Sequence, residues 1–133
     1  GRSKYPWGNE APADQLCWKR YVSVACDMGS CHLGTCAADA SPPTKLGSTA
    51  LAGQSGLYGM AGNVSEWTHD VYASFVEPGA ATDPTGPAGN GSRHVIKGSS
   101  WRTASFGELR AAWREGADGA SQDLGFRVAR HVE

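Results

Sequence analysis

The sequence lacks both a long apolar run and an excess of charge of either sign. No apolar stretch in the 133 residues approaches the roughly 20 that a membrane-spanning helix needs. Lys and Arg number 12 against 13 Asp and Glu, giving a formal net charge of −1 that favours neither nucleic acid nor an anionic membrane. We therefore expect a single domain, residues 1–133, with no nucleic-acid partner and no membrane partner.

Zinc-type cysteine pairs are also missing. The four cysteines occupy residues 17–36, and the closest pairs have four intervening residues, at the edge of the spacing of structural zinc sites. An even number of cysteines in a short, glycine-rich segment favours two disulfides over free thiols or a metal site. The candidates are Cys17, Cys26, Cys31 and Cys36, and their pairing stays open among three alternatives. Disulfides would favour a secreted or periplasmic protein.

Regular secondary structure is expected only in short segments, since the chain has 18 glycines and seven prolines. Alternation of apolar and polar residues predicts three strands, over residues 21–25, 94–97 and 125–130. In the last of these, Phe126 and Val128 are predicted to face the core. Residues 108–114 are the best helix candidate, with Leu109 and Trp113 on one apolar face.

Residues 56–72 combine a glycine-rich start with the carboxylate of Glu66. Glycine permits positive φ and close backbone approach, so this segment can turn tightly enough to aim several carbonyls at one point. Oxygen ligands of that kind suit Ca²⁺. The residue chemistry alone favours the simpler interpretation, a glycine turn followed by a short core element, with Glu66 capping or pairing.

Five segments, taken in order, make a more specific pattern. They are residues 5–9 (YPWGN), 56–68 (GLYGMAGNVSEWT), 83–87 (DPTGP), 97–101 (KGSSW) and 124–127 (LGFR). Together they resemble the formylglycine-generating enzyme, or sulfatase-modifying factor, family over nearly the whole chain. The resemblance implies an irregular α+β, C-type-lectin-like fold with low regular secondary structure. Family domains usually have a further half upstream of the YPWG segment, so this chain resembles the C-terminal part. Two interpretations stay open: an upstream half of the same domain exists as a partner, or the chain is a minimal variant.

The enzymes of this family oxidise a cysteine of a client sulfatase to formylglycine, using O₂ and copper held by two thiolates. The corresponding interval here, residues 102–109, contains no cysteine, and Thr103 and Phe106 fall at the two thiolate positions. Cu(I) requires soft ligands, which a hydroxyl and a phenyl ring do not provide. We therefore expect neither copper nor catalytic residues. Ser65 is a further departure, because the family usually has an aromatic residue there.

The resemblance also implies a calcium site. Its ligands would be main-chain oxygens at Gly59, Gly62 and Val64, together with the carboxylate of Glu66. A second family calcium site has Ser30 where an aspartate is expected, which argues against binding there unless Asp27 takes its place.

The function that these observations favour is a non-catalytic, calcium-stabilised domain that binds a protein, peptide or other ligand, as yet unknown. The predicted ligand groove consists of Asn63, Ser65, Ser100, Trp101, Arg102, Thr103 and Phe106. The alternatives are a formylglycine-generating-type oxidase and the lectin-like part of an iron-dependent sulfoxide synthase. A diversified ligand-binding protein of the retroelement type fits less well, because residues 102–123 contain no Asn and no Tyr.

Overall fold

A computed structural model describes residues 3–12, 16–18, 34–37, 57–74, 86–87 and 91–128. Its regular elements are the strands β1 (Ser65–Val71), β2 (His94–Lys97), β3 (Glu115–Ala117) and β4 (Leu124–Gly125). No residue in these ranges is helical, and within them nothing resembles a membrane-spanning helix. The described part of the chain is thus a small mixed sheet held among loops, as expected for a fold with low regular secondary structure.

The strands form one sheet in the order β3-β2-β1-β4. β2 runs antiparallel to both β1 and β3, with Lys97 opposite Glu66 and Ile96 opposite Glu115. β4 runs parallel to β1, with Leu124 beside Ser65. The end of β2 and the beginnings of the other three strands therefore meet at one edge of the sheet.

The predicted strand over residues 94–97 is confirmed as β2, whereas the predicted C-terminal strand is wrong in both length and orientation. β4 contains only Leu124–Gly125, and Phe126 and Val128 are 77% and 86% exposed rather than inward-facing. The residue between them, Arg127, directs its guanidinium back to Glu66 instead. Apolar and polar residues do alternate here, but the ion pair between Arg127 and Glu66 decides which of them face the protein. The strand predicted over residues 21–25 lies outside the described residues.

The predicted helix over residues 108–114 is also wrong, because this segment is a series of turns. Its hydrogen bonds span three residues, from the N–H of Glu108, Arg110 and Trp113 to the C=O of Ser105, Gly107 and Arg110. Leu109 faces inward as predicted and is 1% exposed, but Trp113 is 41% exposed.

Side chains from elsewhere occupy the carbonyls that a helix would use. Ser99 Oγ donates to the carbonyl of Glu108, and Lys97 Nζ donates to that of Ala111 at 2.7 Å. The N–H of Ala111 donates to the carbonyl of Lys4 at 3.0 Å, across the chain. These partners are remote in sequence, so local helix propensity does not decide the conformation.

The core lies beneath these turns. Tyr5, Trp18, Ala61 and Leu109 form a buried cluster, with Trp7 and Leu16 packed against it. Tyr5 and Gly8 exchange two backbone hydrogen bonds, and the Tyr5 ring stacks on Trp7 at 4.9 Å. Residues 5–9 therefore form a turn whose aromatic side chains pack against one side of the core.

Residues 62 and 63 connect three segments of the chain. Gly62 has φ +80°, and a Cβ on it would lie 2.6 Å from the carbonyl oxygen of Cys17. Asn63 N–H donates to that same carbonyl at 2.7 Å, and Asn63 C=O accepts from Trp101 N–H at 2.9 Å. The Asn63 side chain accepts from Cys36 N–H at 2.9 Å.

A disulfide joins Cys17 to Cys36. It confirms the disulfide interpretation for these two cysteines and selects their pairing. Cys26 and Cys31 lie outside the described residues. Asn63 hydrogen-bonds the backbone of both cysteines, so the disulfide joins two of the segments that Asn63 contacts.

Substitution of three glycines by alanine separates steric clash from backbone strain. We expect Gly62→Ala to reduce the free energy of unfolding by about 3 kcal/mol or more, since it combines a clash with a positive φ. Gly59→Ala, at φ +64° with open space around it, should cost about 1–2 kcal/mol from the left-handed conformation alone. Gly119→Ala, also in open space, is the matched control and should be nearly neutral. Urea denaturation measures all three, and equal effects at positions 59 and 62 would contradict the close contact with Cys17.

Candidate functional site

A cleft of about 290 Å³ lies at the edge of the sheet where the four strand ends meet. Ser65 opens β1, Lys97 closes β2 and Glu115 opens β3, and all three line the cleft. The turn after β2 adds a second wall, and the loop before β4 adds a third. The sheet topology thus gathers residues that are far apart in sequence.

Five of the sixteen residues that line this cleft carry hydroxyl groups. They belong to Ser65, Ser99, Ser100, Thr103 and Ser121. Such groups both donate and accept hydrogen bonds. The indole of Trp113, half-exposed at the cleft wall, supplies the aromatic surface. Hydroxyls around one aromatic face suit recognition of a polar ligand.

Asp123 is held at the cleft by two of these hydroxyls. Ser100 Oγ donates to Asp123 Oδ2 at 2.8 Å, and Ser121 Oγ donates to Oδ1. Partial burial opposes ionisation, but these hydrogen bonds and the nearby Arg102 charge outweigh it and lower the pKa of Asp123. Ser100 therefore pairs with a carboxylate and not with a histidine, so a serine–histidine nucleophile is not assembled here.

The cleft has charges of both signs. The Lys97 ammonium donates a hydrogen bond to the carbonyl of Ala111. Burial, reinforced by the Arg114 charge, lowers its pKa. Arg102 lies with its guanidinium carbon 4.7 Å from the centre of the Trp101 ring and donates to Gln122. Glu108 and Glu115 add carboxylates to the lining.

Four of the seven residues predicted to form the groove line this cleft, namely Ser65, Ser100, Arg102 and Thr103. The other three do not line it. Trp101 is buried, and its indole N–H has no hydrogen-bond partner among the described residues. Asn63 joins the segments around the disulfide, and Phe106 packs against Trp18 with ring centres 5.1 Å apart.

The sequence did not identify four further lining residues, Trp113, Glu115, Ser121 and Asp123. The apolar pattern places Trp113 on the buried face of a helix, and that helix does not form. Asp123 gave no local signal, because its partner Ser100 is 23 residues away.

A protein-family model described as "Sulfatase-modifying factor enzyme 1-like domain" matches residues 1–132. The chain belongs to this family. The resemblance carried by the five segments is thereby confirmed, and the geometry above is that of a sulfatase-modifying factor domain.

Relatives with curated names include proteins called serine/threonine-protein kinase Pkn1. The chain is 35% identical over 82 residues to that of Chlamydia trachomatis serovar L2 and 39% identical over 83 residues to that of Chlamydia caviae. Each match covers 59% of this chain but only 13% of the relative. A solved structure, Treponema denticola variable protein 1, is 37% identical, with a TM-score of 0.47 over 53% of this chain and 26% of its own.

The copper positions of the family carry no thiol in this member. Thr103 is buried, and its hydroxyl accepts a hydrogen bond from Ser100 N–H at 3.0 Å, while Phe106 is exposed. The disulfide removes Cys17 and Cys36 as thiolates. The described residues contain no cluster of three or more His, Cys, Asp or Glu side chains able to hold a metal ion. Positions 103 and 106 therefore lack the soft ligands that Cu(I) prefers.

The four predicted calcium ligands are placed around the start of β1. The carboxylate of Glu66 and the carbonyl of Gly59 both accept hydrogen bonds from the Arg127 guanidinium. Gly62 N–H donates to Gly98 C=O at 2.7 Å, which fixes the turn of the loop. Calcium at this position stays a prediction.

Stability in acid should depend on Asp123. Because its folded pKa lies below the ordinary carboxyl value of about 3.9, the ionised group stabilises the fold above that pH, and this contribution disappears as the pH falls through the folded pKa. We expect the stability difference between wild type and Asp123→Asn to be constant above about pH 5 and to shrink below pH 4, by no more than about 1 kcal/mol because the group is partly exposed. Urea denaturation at several pH values measures this difference. Asp118→Asn, whose carboxylate has no hydrogen bond within the described residues, is the control, and identical pH profiles for the two variants would contradict the role of Asp123.

Proposed function

We propose that this chain is a non-catalytic sulfatase-modifying factor domain, C-type-lectin-like in architecture, that binds a protein or peptide ligand in the cleft at the strand ends. The observation that carries this proposal is the cleft itself, which offers hydroxyls, carboxylates and an exposed indole around Ser100 and Trp113. Positions 103 and 106, where the family's oxidases hold copper, carry a hydroxyl and a phenyl ring.

The polar lining favours recognition over chemistry. Ser100 and Ser121 donate their hydroxyl protons to Asp123, so the carboxylate is held at the cleft, where it can accept a hydrogen bond from a peptide N–H or a polar side chain. Trp113 provides the large, half-exposed aromatic surface that is common at the centre of binding sites. Loops supported by a sheet are the usual location for such sites.

The relatives support a role as a recognition module. The kinases named Pkn1 match this chain over 13% of their length, which is consistent with a small domain that accompanies another activity in a longer protein. The Cys17–Cys36 disulfide supports an oxidising location, secreted or periplasmic.

Binding can be tested with a random peptide library displayed on phage, followed by calorimetry with the enriched peptides. We expect Trp113→Ala to weaken binding by about 10- to 100-fold, the range of a central aromatic contact. Asp123→Asn should weaken it less, by releasing the two serine hydroxyls. Phe126→Ala is the matched control, an exposed aromatic outside the cleft, and should leave the affinity unchanged.

Two results would contradict this proposal. Enrichment of no peptide above a denatured control would argue against peptide recognition. Loss of binding in Phe126→Ala with retention in Trp113→Ala would place recognition outside the cleft.

Catalysis is tested separately. After incubation in air with Cu(I) and a Cys-x-Pro-x-Arg peptide, mass spectrometry should detect no formylglycine, because the chain offers no thiolate pair at residues 103 and 106. Formylglycine formation above a no-protein control would favour the alternative, a formylglycine-generating-type oxidase.

A further inference from the structure

Arg127 makes a fork-shaped contact with Glu66. Its Nε donates to Glu66 Oε2 at 2.6 Å, and its Nη2 donates to Oε1. Both carboxylate oxygens are thus engaged by one guanidinium, the geometry that gives arginine–carboxylate pairs their strength and direction. The side chains are 37% and 21% exposed, so water screens the pair only in part.

The same guanidinium reaches the glycine-rich loop. Arg127 Nη2 also lies 3.2 Å from the carbonyl oxygen of Tyr58 and 3.3 Å from that of Gly59. Arg127 therefore bridges residues 58–59 to the start of β1 and holds the two sides of the loop together. In the family's arrangement, a metal ion would perform this task.

A calcium ion does not fit beside this contact. Ca²⁺ binds six to eight oxygens at about 2.3–2.6 Å, and two of the four predicted donors, Gly59 C=O and Glu66, already accept from the guanidinium. The only carboxylate among the four donors is neutralised by Arg127. A divalent ion placed there would meet a positive charge at hydrogen-bond distance from its own ligands.

We propose that the Arg127 guanidinium, and not a calcium ion, is the cation that closes the loop of residues 57–66. It replaces the metal's charge with a single positive charge and the metal's coordination with N–H donors. The hydrogen bond to Glu66 raises the pKa of Arg127 above its ordinary value, and the Glu66 charge adds to this effect while burial opposes it.

The path of the chain explains how Arg127 reaches this position. β4 pairs with β1 so that Gly125 lies beside Glu66, and Arg127 follows two residues later. Phe126 and Val128, on either side, point into solvent. If Phe126 and Val128 faced the core, Arg127 would face solvent, and the Glu66 carboxylate would lose this partner.

Thermal unfolding in calcium and in chelator tests the proposal. We expect the wild-type Tm to be the same in excess Ca²⁺ and in EGTA. Arg127→Gln and Glu66→Gln should each lower Tm by about 3–6 °C, the usual scale for losing one strong contact in a domain of this size. The double variant should lose no more than the larger of the two single losses, because both changes break the same contact.

The possible outcomes distinguish closure of the loop by Arg127 from closure by Ca²⁺. A wild-type Tm that rises with Ca²⁺ and loses that rise in Glu66→Gln would overturn the proposal, and so would strictly additive losses in the double variant. Arg110→Gln, at an exposed arginine whose side chain makes no hydrogen bond among the described residues, is the matched control and should not change Tm. If Arg127→Gln does not fold, Arg127→Lys supplies the same cycle, since it keeps the charge and loses the fork.

Discussion

The contact between Gly62 and the carbonyl of Cys17 is the constraint on which the other features depend. A Cβ at position 62 would lie 2.6 Å from that oxygen, so the two backbones approach as closely as they do only because a glycine is there. Asn63 then hydrogen-bonds the chain at Cys17, Cys36 and Trp101. This crossing fixes the disulfide segment, the entry to β1 and the turn after β2 relative to one another, and the cleft is built on the last two.

Side-chain cations replace much of the backbone pairing that this fold lacks. Loops and the edge strand β3 leave carbonyls without strand or helix partners, and side chains supply donors to several of them. Arg93 supplies one to Gly116 at 2.6 Å, Arg114 supplies one to Ala73, and Lys97 supplies one to Ala111. Arg127 likewise donates to carbonyls of the glycine-rich loop, where it also neutralises Glu66. Guanidinium geometry suits this task because its several N–H groups reach in fixed directions.

The cleft and the family chemistry diverge at a few side chains. The chain retains the family's scaffold segments, yet Thr103 is a buried hydroxyl that supports the turn at Ser100, and Phe106 packs on Trp18. Both positions have become structural. The polar groups at the strand ends orient one another, since Ser100 and Ser121 both donate to Asp123.

The sequence by itself determined the family, the strand β2, the disulfide character of Cys17 and Cys36, and the loss of the copper thiolates. Each of these depends on residue identity or on spacing along the chain. Only the tertiary structure decided the outward phase of Phe126, the turns in place of a helix over residues 108–114 and the exposure of Trp113 at the cleft. Their causes are partners distant in sequence, 61 residues in the case of Arg127 and Glu66. Periodicity describes which residues are apolar, but long-range hydrogen bonds and charge pairs select which of them the fold buries.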